Sequence, residues 1–315
     1  MNVLVTGSSG FVGSAACFSL LKRGFFVRAF SRSELDWPPG IEPIRAASLL
    51  DPYVLDHAFD SIDCILHLAG RAHVMRESEL NPLDAYRQSN LLATLGFARR
   101  AALAGVRRFV FVSSIKVNGE FTASGVPFTE ASLPSPMCPY AISKYEAELA
   151  LFQLSVETGM EVVVVRPPLI YGPNVKGNFR SLMSLVAKRL PLPFGLINHN
   201  LRSFVSLDNL IDFFCLCLAS PAAANQVFLV SDQYDVSTAE LIERLGLAMD
   251  SPARLLCVPP DALKFAAGIF SRQQAYQRIC GSLVVDSSLA SRCLMWDPPL
   301  DFDEGLRRAV VNFSV

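Results

Sequence analysis

Tyr140 and Lys144 stand four residues apart in Pro139-Tyr140-Ala141-Ile142-Ser143-Lys144, a spacing that puts a phenol and an ammonium on one face of a helix. A phenol with an ordinary pKa of about 10 is a poor acid or base at neutral pH. An ammonium beside it stabilises the phenolate and brings proton exchange within reach. Ser113-Ser114 offers a further hydroxyl at the end of an apolar run, Arg108–Ser113, that reads as a strand. Together these groups suit proton transfer to or from an oxygen. The Tyr-x-x-x-Lys spacing alone is common by chance, so its meaning rests on what else the chain carries.

Thr6-Gly7-Ser8-Ser9-Gly10-Phe11-Val12-Gly13 follows a first strand, Asn2–Thr6, and opens a first helix, Phe11–Arg23. In this GxxGxxG spacing Gly7 permits a tight turn and Gly10 lets the backbone approach a pyrophosphate. Gly13 lets helix and strand pack closely, while the helix N-terminus supplies N–H donors and a partial positive charge. The turn predicts dinucleotide binding through Gly7, Ser9, Gly10, Phe11, Val12 and Gly13. A carboxylate at the end of the second strand would mark NAD by bonding the adenine-ribose hydroxyls. Val27-Arg28-Ala29-Phe30-Ser31-Arg32-Ser33 has none before Glu34. Arg32 beside Ser31 suits a 2′-phosphate, which favours NADP(H) over NAD(H); the plainer reading of Arg32 is a solvated loop arginine. An oxidised nicotinamide, being positive, would lower the Tyr140 phenol further.

Five apolar, β-branched runs read as strands: Asn2–Thr6, Phe25–Phe30, Cys64–Leu68, Arg108–Ser113 and Glu161–Arg166. Helical patterns lie between them at Phe11–Arg23, Leu80–Ala104 and Tyr140–Thr158. Strands apolar throughout are buried on both faces, so the fold class is α/β, a Rossmann-type doubly wound parallel sheet. After Arg166 the texture changes to Pro-rich joints and short elements, with one more strand at Asn225–Val230. The expected division is a dinucleotide domain of residues 1–166 plus about 203–230. A smaller mixed α/β substrate lobe would span about 167–202 plus 231–315.

Of the 315 residues 51% are hydrophobic and 18% charged, which excludes a disordered chain. Lys+Arg 28 against Asp+Glu 29 gives a net charge of -1. No basic surplus calls for nucleic acid, and no polybasic run calls for an anionic membrane. Mean hydropathy is high at +0.34. Even so, the apolar stretch from Leu210 to Val230 is broken by Asp212, Pro221, Asn225 and Gln226, and reads as helix, loop and strand rather than a transmembrane span. Eight cysteines without a CxxC pair read as buried thiols in a reduced compartment. His57, His67, His73 and His199 lack metal-ligand spacing. The N-terminus enters a strand with no positive region before it, so no cleaved signal is expected and a cytoplasmic protein is.

The sequence resembles the extended short-chain dehydrogenase/reductases of the nucleotide-sugar epimerase/dehydratase group over nearly its full length. The resemblance rests on the Thr6–Gly13 turn, Asp63-Cys64-Ile65-Leu66-His67-Leu68-Ala69-Gly70, Asn90, Ser113-Ser114 before Gly119, and Tyr140/Lys144. It continues through Arg166-Pro167 and Tyr171-Gly172-Pro173, then Arg202-Ser203-Phe204-Val205-Ser206-Leu207-Asp208-Asn209, Val285-Asp286-Ser287-Ser288 and Trp296. It implies that Tyr140 is the general acid/base, that Ser114 bonds the C4 oxygen of a sugar, and that Lys144 positions the nicotinamide ribose. Leu68, Ala69, Gly70, Asn90, Ser113 and Pro167 would line the cofactor cleft. Arg202 would hold a nucleotide diphosphate, with Asn178 and Phe179 as further substrate contacts, and the long helices would pair into a homodimer; Lys116 itself reads either as an added ligand for an anionic substrate or as a solvated loop lysine.

Departures from the family pattern narrow the chemistry. Leu169 stands where relatives often carry a phosphate-binding Asn. Ile115 and Lys116 follow Ser114 where sugar dehydratases carry an Asp-Glu pair, so dehydration lacks its acid. Two reactions at C4 of a UDP-sugar remain. One is reduction of a UDP-4-keto-6-deoxy-HexNAc, of the UDP-N-acetylquinovosamine type made in bacterial surface-polysaccharide (O-antigen) synthesis. The other is 4-epimerisation of UDP-glucose or UDP-N-acetylglucosamine on retained NAD. Arg32 leans towards exchangeable NADPH and so towards the reductase. A catalytically silent cofactor-sensing scaffold is the third reading, since fold alone never establishes function.

Overall fold

Strands apolar on both faces need cover on both, and the chain supplies it. The computed structural model describes residues 1–33, 35–51, 57–72, 81–270, 272–311 and 313. The strands are β1 (Asn2–Thr6), β2 (Phe26–Ser31), β3 (Ile41–Arg45), β4 (Cys64–His67), β5 (Arg108–Val112), β6 (Glu161–Arg166), β7 (Leu169–Tyr171), β8 (Pro191–Leu192), β9 (Phe204–Ser206), β10 (Val227–Leu229) and β11 (Arg254–Leu255). The helices are α1 (Phe11–Lys22), α2 (Pro82–Arg87), α3 (Ala93–Leu103), α4 (Pro139–Thr158), α5 (Gly177–Ala187), α6 (Leu207–Ala219), α7 (Thr238–Ala248), α8 (Pro260–Ile269), α9 (Gln273–Cys280), α10 (Ser288–Leu294) and α11 (Phe302–Val310).

Seven strands pair in parallel in the order β10-β6-β5-β4-β1-β2-β3. Along β1 the side chains alternate between two cores. Val3 and Val5 join Leu66, Val110 and Val163 under α1 and α6, where Phe213 packs edge-on against Trp296. Leu4 joins Ile65, Phe109 and Phe111 under α3 and α4, with Phe97 and Leu151. Each such side chain contributes about 1.5–3 kcal/mol by leaving water. His67, wholly buried in β4, is held between the hydroxyls of Thr6 (Nδ1, 3.0 Å) and Thr94 (Nε2, 3.0 Å). Burial drives its pKa down to about 3, so it is a neutral core residue.

The sequence reading places the central strands and helices within a residue or so of their ends, and it misses β3. That strand carries Glu42, Pro43 and Arg45, an unpromising pattern, yet it lies at the sheet edge where proline is tolerated. The pattern expected over Leu80–Ala104 (Leu80 lies outside the described residues) is α2 and α3 joined by a π-helical turn at Gln88–Leu92. Two small parallel pairs, β7–β9 and β8–β11, lie apart from the main sheet. Beside them Tyr171, Phe179, Phe204 and Phe302 form a third core. The Tyr171 hydroxyl donates to Asp232 there at 2.7 Å. Among the described residues no helix is long and apolar enough to cross a membrane, and no group of His, Cys, Asp and Glu could hold a metal ion.

Candidate active site

The glycine turn is built so tightly that side chains are excluded. Gly7 has φ +67, and a Cβ there would lie 2.8 Å from the Ala69 nitrogen. A Cβ on Gly13 would meet the Gly7 carbonyl oxygen at 2.2 Å. Thr6 Oγ1 accepts from the N–H groups of Leu68 and Ala69, both at 3.2 Å, tying β4's exit loop to the turn. Gly10 caps α1 without a side-chain hydrogen bond, and no acidic residue occupies the first turn, leaving that helix end free for an anion. The Ser8 hydroxyl is buried and has no partner among the described residues. An orphan donor beside a bare helix N-terminus fits a dinucleotide pyrophosphate. The sequence reading named Ser9, which is exposed, and passed over Ser8.

At the end of β2 the Ser31 hydroxyl turns back onto the Ser33 carbonyl at 2.5 Å. Arg32 is exposed and makes no ion pair with a described residue. Glu34 lies outside the described residues.

Tyr140, Lys144 and Glu148 follow one another along one face of α4, which starts on Pro139 at a first-turn position suited to proline. Lys144 Nζ donates to the Val112 carbonyl at 2.8 Å and stands 4.4 Å from the centre of the Phe111 ring. Burial lowers Lys144 to about 8, opposed by the Glu148 carboxylate. Burial pushes Tyr140 up to about 12, with a hydrogen bond to Ser114 pulling the other way. The expected lowering of the phenol by Lys144 is therefore not what the site shows. The ammonium is bound to a β5 carbonyl, and desolvation dominates. Tyr86 meets Tyr140 edge-on, ring centres 6.1 Å apart.

Gly70 is exposed and adjoins these side chains: an added Cβ there would be 2.9 Å from Asn90 Oδ1 and 3.6 Å from Lys144 Nζ. Asn90 sits in the π turn, a distortion often found at functional sites. Its Oδ1 accepts from the Arg71 N–H at 2.7 Å, and its Nδ2 donates to the Arg71 carbonyl and to Ser143 Oγ, both at 3.0 Å. Asn90 thus clamps the loop after Gly70 onto α4 rather than presenting a free amide to a cofactor.

Two neighbouring serines divide their work. Ser114 faces Tyr140, whereas the buried Ser113 hydroxyl bonds Glu148, so its side chain serves the framework instead of a cofactor. Glu148 in turn binds Arg166, whose Nη1 reaches Asn118 Oδ1 at 3.0 Å. Pro167 accepts the Ile115 N–H at 3.0 Å, holding the loop that carries Ser114. Lys116 is part-exposed and 3.6 Å from Glu120, as a loop lysine would be.

Arg202 is largely buried, donates to the Gly281 carbonyl at 2.9 Å and pairs with no carboxylate among the described residues; desolvation lowers its pKa. A guanidinium with that much unanswered charge fits a phosphate or diphosphate. Asn178 is exposed at the start of α5. Phe179 is 4% exposed and stacks on Tyr171 at 5.5 Å, so its side chain packs the core and is not offered to a substrate.

The chain belongs to the NAD dependent epimerase/dehydratase family, whose model matches residues 3–231. It is 42% identical over 313 residues to a UDP-glucose 4-epimerase of Vibrio cholerae, covering 99% of this chain and 95% of that protein. In fold it matches the UDP-glucose 4-epimerase of Thermotoga maritima solved with UDP-glucose, with TM-score 0.79 and 21% identity over 99% of this chain and 98% of that one. It also matches RMD of Pseudomonas aeruginosa complexed with NADPH, with TM-score 0.75 and 23% identity over 99% of both chains. Solved relatives of this fold hold NAD or NADPH. The chain is therefore an enzyme of the NAD dependent epimerase/dehydratase family.

Proposed function

We propose that the protein is an NADPH-dependent reductase of a UDP-4-keto-6-deoxy-HexNAc, forming a UDP-N-acetylquinovosamine-type sugar for bacterial surface polysaccharide. The observation that carries this reading is the end of β2, which offers an exposed Arg32, without an ion pair to any described residue, and no carboxylate before Glu34. Gly7, Ser8, Gly10 and Gly13 would hold the pyrophosphate and Arg32 the 2′-phosphate, while Lys144 would hold the nicotinamide ribose. When bound, NADPH supplies the hydride that C4 receives. Ser114 holds the C4 oxygen, and Tyr140 delivers a proton to it as the carbonyl becomes a hydroxyl. A phenol at about 12 is protonated at neutral pH, the form that donation needs. Arg202 anchors the diphosphate, fixing the sugar against Tyr140. The division into a dinucleotide unit of 1–166 plus about 203–230 and a substrate lobe belongs to the same reading. So does a homodimer through the exposed faces of α3 and α4, which carry Leu103 and Val156.

A second reading, 4-epimerisation on retained NAD, is favoured by the 42% identity to the Vibrio cholerae protein. One experiment separates them: denature the purified protein, identify any released dinucleotide, and titrate the emptied protein with NADH and NADPH. A largely empty protein preferring NADPH supports the reductase; stoichiometric retained NAD supports the epimerase. Binding of neither dinucleotide overturns both.

A further inference from the structure

Two helices near the C-terminus are built unlike the rest. α8 and α9 bury no residue at all, whereas every other helix of the described chain buries at least one. On α8, Leu263 and Ala267 turn towards a cavity of about 220 Å³ shared with Phe194, Tyr276 and Ile279. Outward stand Phe265 and Ile269, one helical turn apart, and Phe270 just beyond; they are 73%, 64% and 72% exposed. Large apolar side chains scattered singly on a surface need no explanation, but three on one helix end form a patch.

Basic residues share the hairpin with that patch, Arg272 at the rim of the cavity. Lys264, Arg272 and Arg278 are exposed and make no ion pair with a described residue, while Asp261 is the one carboxylate between positions 260 and 280. The hairpin therefore carries a net charge of +2 in a chain whose total is -1. No run of basic residues announces it, because the cations are spread over fifteen positions, from 264 to 278.

We propose that the α8–α9 hairpin docks the enzyme on an anionic bilayer surface. Phe265, Ile269 and Phe270 enter the boundary between headgroups and acyl chains, and Lys264, Arg272 and Arg278 meet lipid phosphates. A second copy of the chain is the poorer occupant. A two-fold contact would set this patch against itself and bring its own unpaired cations together. Docking would also sit next to the substrate cleft. α9 leads directly into Gly281, whose carbonyl holds Arg202, and on to Ser282 and Val284, which accept from Thr122 and Phe128.

The test is flotation of the full-length protein with phosphatidylglycerol-containing vesicles and with pure phosphatidylcholine vesicles, alongside sedimentation velocity. The protein should float with the anionic vesicles, lose that binding in Phe265→Ser/Phe270→Ser, and weaken about fivefold for each of Lys264→Gln, Arg272→Gln and Arg278→Gln. Retained dinucleotide binding in every variant verifies the fold. The proposal is overturned if the wild type stays free of anionic vesicles, or if the double variant binds them equally well. It is overturned too if the double variant instead converts a larger assembly into a smaller one, which would make the patch a protein interface.

Discussion

Arg166 grips Glu148 with two parallel hydrogen bonds, Nε to Oε1 at 3.0 Å and Nη2 to Oε2 at 2.5 Å, and both side chains are almost wholly enclosed. The pair ties the end of β6 to α4 one turn below Lys144, and through Ser113 and Asn118 it reaches the loop that bears Ser114. Removing one member leaves the other charge buried and unanswered. Glu148→Gln should lower unfolding free energy by about 3–5 kcal/mol, read by urea denaturation.

The glycine turn predicts a different failure. Gly13→Ala puts a methyl into the Gly7 carbonyl, where only backbone can give way. The cost should be about 1–3 kcal/mol of stability. Dinucleotide affinity should fall with it, since α1 and the turn must separate. Isothermal titration together with a thermal melt reads both.

His67 gives a pH dependence whose sign follows from its neutral burial. The unfolded chain takes a proton on this ring below about pH 6.5, and the folded chain withholds it down to about 3. Stability from this residue is therefore full above pH 6.5 and lost as pH falls towards 3. Between pH 7 and 4 the loss should be about 3 kcal/mol, and His67→Gln should flatten that slope in paired denaturation curves.

Tyr140→Phe removes the proton donor while sparing the ring packed against Tyr86. Turnover should fall roughly 10²–10⁴-fold with dinucleotide binding little changed. Full turnover in this variant would exclude both the reductase and the epimerase.

Arg32→Ala reads out the cofactor preference. NADPH affinity should weaken roughly 10–100-fold and NADH affinity hardly move. An equal effect on both would reduce Arg32 to a loop charge.

Much of this is legible in the sequence itself. Strands apolar throughout dictate a covered parallel sheet, and Tyr140 and Lys144 share a helix face by spacing alone. What escaped was whatever depends on distant segments meeting. Glu148 is an ordinary helical acid until Arg166 and Ser113 arrive beside it, although its place four residues after Lys144 was the available signal. Ser8 is one of two adjacent serines, and only the turn of the backbone decides which is buried. Arg202 is named by the resemblance, but its seat against the Gly281 carbonyl depends on a segment far along the chain. β3 was hidden by Pro43, whose tolerance depends on lying at the sheet edge.

The strand order has a consequence for how the protein is made. β10 closes the β6 edge of the sheet, and α6 packs on β4 and β5, burying Leu210, Phe213, Phe214 and Leu218. Both are synthesised only after residue 206. While the ribosome holds the chain short of that point, the part of that sheet face not covered by α1 and one strand edge stay bare. Such intermediates are sticky, and non-local pairing is slow to form. Chains halted before β10 should be ready clients for chaperones, even though the contacts that hold the glycine turn, from Thr6 to Ala69, are already present in them.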